Sequence, residues 1–179
     1  MDKETFKKTE GKLYGYFRDL KEMELLEIDC RDLQEQVESI EWDIKHCNVC
    51  VTPDSHMSPS FGEKVQTSPT GEGVAEKGIV REIEKLEHEL EYVSSKLRRN
   101  RARIRQLKRN IAPLKKVLTV PPLSKEMMEF ITYKYKLNKS IGWIANEMYG
   151  GVRSTAYRWR EDVLKDIVRW GRMYDDSYK

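Results

Sequence analysis

The sequence predicts an all-α protein: a long antiparallel coiled-coil hairpin over residues 1–118, then a small C-terminal helix-turn-helix domain over 123–179. Three observations predict it. From Ile79 to Leu118 apolar residues recur at alternating spacings of four and three, a similar alternation runs from Leu13 to Ile44, and two apolar helical stripes near the C-terminus are divided by Gly150-Gly151. Spacings averaging about 3.5 residues keep a single apolar seam on one side of a helix, and such a seam is buried only against another helix.

The first helix carries Leu13, Tyr16, Leu20, Met23, Leu26, Cys30, Leu33, Val37, Ile40 and Ile44 on its seam. Consecutive spacings of three around Met23 and Leu26 form a stammer, which overwinds a supercoil locally without ending the helix. The second helix carries Ile79, Ile83, Leu86, Leu90, Val93, Leu97, Asn100, Ile104, Leu107, Ile111, Leu114 and Leu118, with Asn100 the polar member that would set register. Pro113 lacks an amide hydrogen and is expected to end or kink the helix there. Each helix is about 40 residues, or roughly 60 Å at ~1.5 Å per residue, and equal lengths suit a hairpin. A parallel dimer through the second helix alone is the competing arrangement.

Between the helices, residues from about 48 to 73 include Pro53, Pro59 and Pro69 among many Ser, Thr and Gly residues. The stretch has no periodicity, so it is expected to be a mobile loop at the hairpin tip. Pro121-Pro122 then separates the hairpin from the C-terminal domain, because proline cannot continue a helix and restricts the residue before it.

In the C-terminal domain a helix from roughly Ser124 to Lys136 places Met127, Phe130, Ile131 and Tyr135 on one stripe. Ser140 is suited to cap the next helix, whose Ile141, Ile144, Ala145 and Met148 share a face. Gly150 and Gly151 permit the positive backbone angles of a sharp turn, and Ser154 or Thr155 is expected to cap the last helix. In that helix Val152, Ala156, Trp159, Val163 and Ile167 fall at spacings of three or four and are expected to pack inward. Arg153, Ser154, Thr155, Tyr157, Arg158 and Arg160 are left on the outside.

An exposed edge rich in arginine on the second helix of such a pair suits a DNA major groove. A planar guanidinium can bond guanine through two hydrogens or clamp a phosphate, and a tyrosine hydroxyl reaches a backbone oxygen. The expected DNA-binding set is this edge with Lys139, plus Arg101, Arg105 and Lys108 from the second long helix. A solvated face on a plain helical bundle remains the other reading.

The chain carries 33 Lys+Arg and 30 Asp+Glu, for a formal net charge of +3. Along the chain the balance is uneven: residues 1–95 hold 12 basic and 22 acidic groups, 96–122 hold 10 and none, and 123–179 hold 11 and 8. In an antiparallel hairpin the basic run lies at the end nearest the helix-turn-helix, where it would extend a phosphate-neutralising surface. Alternatively these arginines pair across the hairpin with Glu4, Glu10, Asp19 and Glu22.

Other chemistry finds little support. His46-Cys47-Asn48-Val49-Cys50, with His56 beyond, holds the residue types that ligate zinc, but a single CxxC without a second pair is a weak signal, and no metal or cofactor is assigned. Neither a phosphate-binding glycine loop nor a nucleophile-base arrangement is legible, and the carboxylates belong to outer faces of long helices, so an enzyme is not expected. No membrane span or signal peptide is expected either.

The order of parts, with the loop sequence Val65-Gln66-Thr67-Ser68-Pro69-Thr70 and the segments Ile144-Ala145 and Thr155-Ala156-Tyr157-Arg158, resembles the RinA/ArpU group of phage and prophage transcriptional regulators. Their head is similar to region 4 of sigma factors, and the turn here is one residue longer than in that pattern. The resemblance implies a sequence-specific regulator of late phage genes in a bacterial host, activation being the favoured mode, and three cysteines, an odd number, without a signal peptide make a reducing cytoplasm the expected location. The resemblance also implies double-stranded DNA as partner, host RNA polymerase as a further candidate, and self-association with a dimer favoured. The alternative function is a small terminase-like DNA-packaging subunit, which would assemble as a ring.

Overall fold

The computed structural model describes residues 2–51, 74–119 and 123–176, and among these every regular element is helical. Helix α1 spans Lys3–His46, α2 Val74–Thr119, α3 Lys125–Ile131, α4 Ile141–Tyr149 and α5 Arg153–Asp176, with a wide π-helical turn at Thr132–Lys136 continuing α3. Most of the expected loop, the 65–70 motif, His56 and Pro121-Pro122 lie outside the described residues. None of the described helices is long and apolar enough to cross a membrane.

The chain divides into two compact units, a hairpin unit of residues 27–102 and a head unit that joins residues 1–26 to 103–179. In the hairpin unit α1 and α2 pair antiparallel around Leu33, Val37, Ile40, Val93 and Leu97, with Cys30, Ile44, Leu86 and Leu90 packed alongside. Every one of these is a seam position of the sequence pattern, because spacings of three and four return a side chain to the same face at each turn. Asn100 is half-buried, as its seam position requires, and the neighbouring Arg101 donates to Gln34 Oε1 at 2.9 Å. Toward the start of α2 the seam opens, and Ile79 is 37% exposed.

In the head unit the core takes Leu13 from α1 and Val117 and Leu118 from α2, together with Phe130, Ile131, Tyr135, Ile141, Ile144, Ala145, Ala156, Val163, Leu164 and Ile167. The compact unit therefore runs across the boundary expected between 118 and 123. The three helices of the C-terminal segment are too small by themselves to enclose an apolar core of this kind, since the fraction of surface a chain buries falls with its size, and the ends of α1 and α2 supply the missing wall. Leu13 and Leu107 are fully buried, each contributing about 1.5–3 kcal/mol relative to exposure.

Pro113 does not end α2, which continues to Thr119. The hydrogen bond lost and the ring clash at proline cost about 3 kcal/mol, and burial of Val117 and Leu118 one turn further on, with Leu114 partly buried beside them, offsets this. Edge-to-face packing of Tyr14 on Tyr135, with ring centroids 5.0 Å apart, joins α1 to the turn after α3.

Candidate nucleic-acid interface

The helix pair is built by local chemistry. Ser140 adopts an extended backbone and its Oγ accepts the Trp143 amide at 3.1 Å, satisfying a donor that the first turn of α4 would leave open. At the other end Gly150 takes φ 57° and Gly151 φ 87°, and the Gly151 amide donates back to the Ala145 carbonyl at 2.8 Å. Only residues without a Cβ adopt such angles at low cost, so this pair of glycines sets the sharp turn. Ser124 caps α3 in the same manner as Ser140 caps α4, its Oγ accepting the Met127 amide at 3.2 Å.

Two expectations at the start of α5 are corrected. The helix begins at Arg153, so Ser154 and Thr155 occupy its first turn rather than its cap. Val152, expected to pack inward, is 50% exposed because it belongs to the turn and lies before the buried stripe begins. That stripe is Ala156, Val163, Leu164 and Ile167, with Trp159 partly buried and stacked on Tyr149 at a centroid distance of 6.0 Å.

Of the residues expected on the reading edge, Arg153, Ser154, Tyr157 and Arg158 are exposed, and Thr155 is half-buried. Among the described residues neither Arg153 nor Arg158 makes an ion pair. Gly142 of α4 leaves room beside the Arg153 guanidinium, where an added Cβ would lie 3.7 Å from its Nε. Lys139, just before α4, holds its Nζ 4.9 Å from the Trp143 ring centroid, and Trp143 meets Tyr133 edge to face.

Arg160 is the exception. The sequence pattern points it outward, yet its Nη2 donates to both Glu10 oxygens at 2.6 Å and its Nε to Oε1 at 2.9 Å. The guanidinium also lies over the Phe6 ring, 4.9 Å from its centroid, and Tyr135 donates its hydroxyl to Glu10 at 3.2 Å. The physical reason is register: Arg160 falls four residues after Ala156 and three before Val163, on the flank of the buried stripe. Burial works to lower the Arg160 pKa, and its bonds to Glu10 and Tyr135 outweigh that, so the guanidinium stays firmly charged. Burial first, and then the Glu10 charge, pushes the Tyr135 phenol well above its ordinary value.

The three basic residues expected on α2 fall into different units. Arg105 and Lys108 are exposed in the head unit, whereas Arg101 belongs to the hairpin unit and is bonded to Gln34. Pairing across the two long helices is seen for Arg103, whose Nε donates to Glu22 at 2.7 Å. Glu10, placed by sequence against the same basic run, serves Arg160 instead.

Charge also divides between the compact units. The head unit carries 23 Lys+Arg against 14 Asp+Glu, net +9, and the hairpin unit 10 against 16, net −6. A polyanion is attracted to the first and repelled by the second. Within the head, Glu126, Glu129 and Glu147 gather around a hollow of about 500 Å³ walled by Tyr133, Tyr149 and Trp159. That side is acidic, which leaves the Arg153–Arg158 edge as the side of α5 suited to phosphate.

Cys47 and Cys50 are exposed free thiols, and among the described residues no group of three His, Cys, Asp or Glu side chains is placed to hold a metal ion. Sequence reasoning missed the Glu10, Phe6 and Tyr135 seat for Arg160. Its signal was the arginine's own position between Ala156 and Val163. Comparison with protein families, with curated proteins and with solved structures finds no match to this chain.

Proposed function

We propose that this chain binds double-stranded DNA through the α4–turn–α5 pair and acts as a sequence-specific transcription regulator. One observation carries the reading: directly after a two-glycine turn, the first two turns of α5 present Arg153, Tyr157 and Arg158 to solvent on a unit of net charge +9. Helices that enter the major groove contact base edges with their N-terminal residues, which is where these side chains stand. Arg158 is assigned to base reading and Arg153 to phosphate, with Ser154 and Tyr157 as backbone contacts. The coiled-coil hairpin serves self-association or contact with host RNA polymerase. Activation of late phage genes is the favoured role, by the resemblance of the parts to the RinA/ArpU group.

The test is selection of duplexes from a randomised pool by the full chain, followed by binding of the enriched sequence to Arg158→Ala. Loss of a base-reading arginine costs about 1–3 kcal/mol on the selected duplex and much less on random DNA. Failure to enrich any sequence, or an Arg158→Ala protein with unaltered preference, removes the assignment.

A further inference from the structure

We infer that the start of α1 is a second DNA-contacting element, in which Lys3 and Lys7 hold backbone phosphates beside the reading helix. The inference rests on the proposed DNA-binding role of α5 and adds a surface that the sequence pattern assigned to the stem.

Arg153, Tyr157 and Arg160 succeed one another at spacings of four and three, so they form a single row along α5. The row is exposed at its first two members and meets α1 at the third, where Arg160 binds Glu10 and covers Phe6. The first two turns of α1 therefore lie against the end of this row. At about 100° per residue, Lys3 and Lys7 share the face of α1 that carries Phe6 and Glu10, whereas Lys8 and Lys12 point about 140° away. The second pair instead lines a groove with Ile167 and Gly171 at the far end of α5.

Lys3 and Lys7 are both exposed, and neither makes an ion pair or hydrogen bond among the described residues. The acidic groups near them are accounted for. Glu10 is held by Arg160, the Asp2 carboxylate accepts the Thr5 amide at 3.0 Å, and Glu4, about 100° from Lys3 and about 60° from Lys7, pairs with neither among the described residues. Two flexible ammonium groups beside a row of Arg153 and Tyr157 suit a phosphate ridge, which needs charge but no fixed geometry.

The test compares Lys3→Ala/Lys7→Ala with Lys8→Ala/Lys12→Ala in the full chain, measuring affinity for a short random-sequence duplex over a range of salt. Both variants remove the same charge, and the exposed sites leave helicity unchanged by circular dichroism. The expected result is that the first variant lowers the slope of log affinity against log salt by about 0.9 for each lysine, while the second leaves it near wild type. Equal losses in both variants would mean that net charge acts and position does not, and an unchanged Lys3→Ala/Lys7→Ala protein would also overturn the inference. In either case weakened binding of the selected duplex by Arg158→Ala leaves the reading helix standing. A wild-type chain that binds no duplex at low salt overturns both.

Discussion

Replacing Glu10 by alanine tests whether α1 is structurally part of the head. The Glu10 and Arg160 side chains are 15% and 23% exposed, and the carboxylate accepts three bonds of 2.6–2.9 Å from Arg160 and one from Tyr135. Exposed ion pairs contribute about 0–1 kcal/mol, and breaking a fully buried one costs about 3–5 kcal/mol because a charge is left without a partner. At this intermediate burial the expected loss is about 2–3 kcal/mol, or roughly 5–10 °C in Tm for a chain of this size. The assay is thermal and urea unfolding of the full chain, with Glu24→Ala, an exposed site on the same helix, as control. Arg160→Met in the Glu10→Ala background removes the orphaned charge and is expected to recover part of the loss. A Glu10→Ala protein within ~0.5 kcal/mol of wild type, or strict additivity in the double-mutant cycle, would refute the claim that this pair anchors α1 to α5.

Other consequences are equally direct. Gly150→Ala places a Cβ at φ 57° and is expected to destabilise by about 1–2 kcal/mol, whereas Gly11→Ala, within α1 and with open space around it, is expected to stabilise by about 0.5–1 kcal/mol; opposite signs in urea unfolding check both. Ile144→Ala removes a fully buried side chain and should cost about 2–5 kcal/mol, read from the same transition. The raised Tyr135 phenol gives stability that is complete below pH 10, its ordinary value, and is lost as pH rises from there through the folded value; Tyr135→Phe should flatten that slope in alkaline unfolding titrations. Light scattering on the full chain should show a small oligomer, and a closed ring would favour the packaging alternative.

Much of the fold is legible in the sequence because helices are local objects. Seam residues such as Val37, Ile40, Val93 and Leu97 are buried where the alternation of three and four places them, since each position depends only on the turn before and after it. Ser140 caps and Gly150 turns for equally local reasons, a side-chain oxygen within reach of an amide and a backbone angle open to glycine. The exposed Arg153, Tyr157 and Arg158 edge comes from the same periodicity. Pro113 departs from expectation because its local penalty is visible in sequence, while the burial of Leu114, Val117 and Leu118 that offsets it is not.

Which residues lie on which face of which helix, and where most helices start and stop, is thus written in the chain's own periodicity. Three features needed the folded chain: which helix ends share a core, the capture of Arg160 by Glu10, and the membership of the start of α1 in the head. Glu10 and Arg160 are 150 residues apart, and no periodic pattern records a pairing over that separation. It arises because a head of three helices closes its core only when the two ends of the hairpin complete the wall, which carries one carboxylate to one guanidinium.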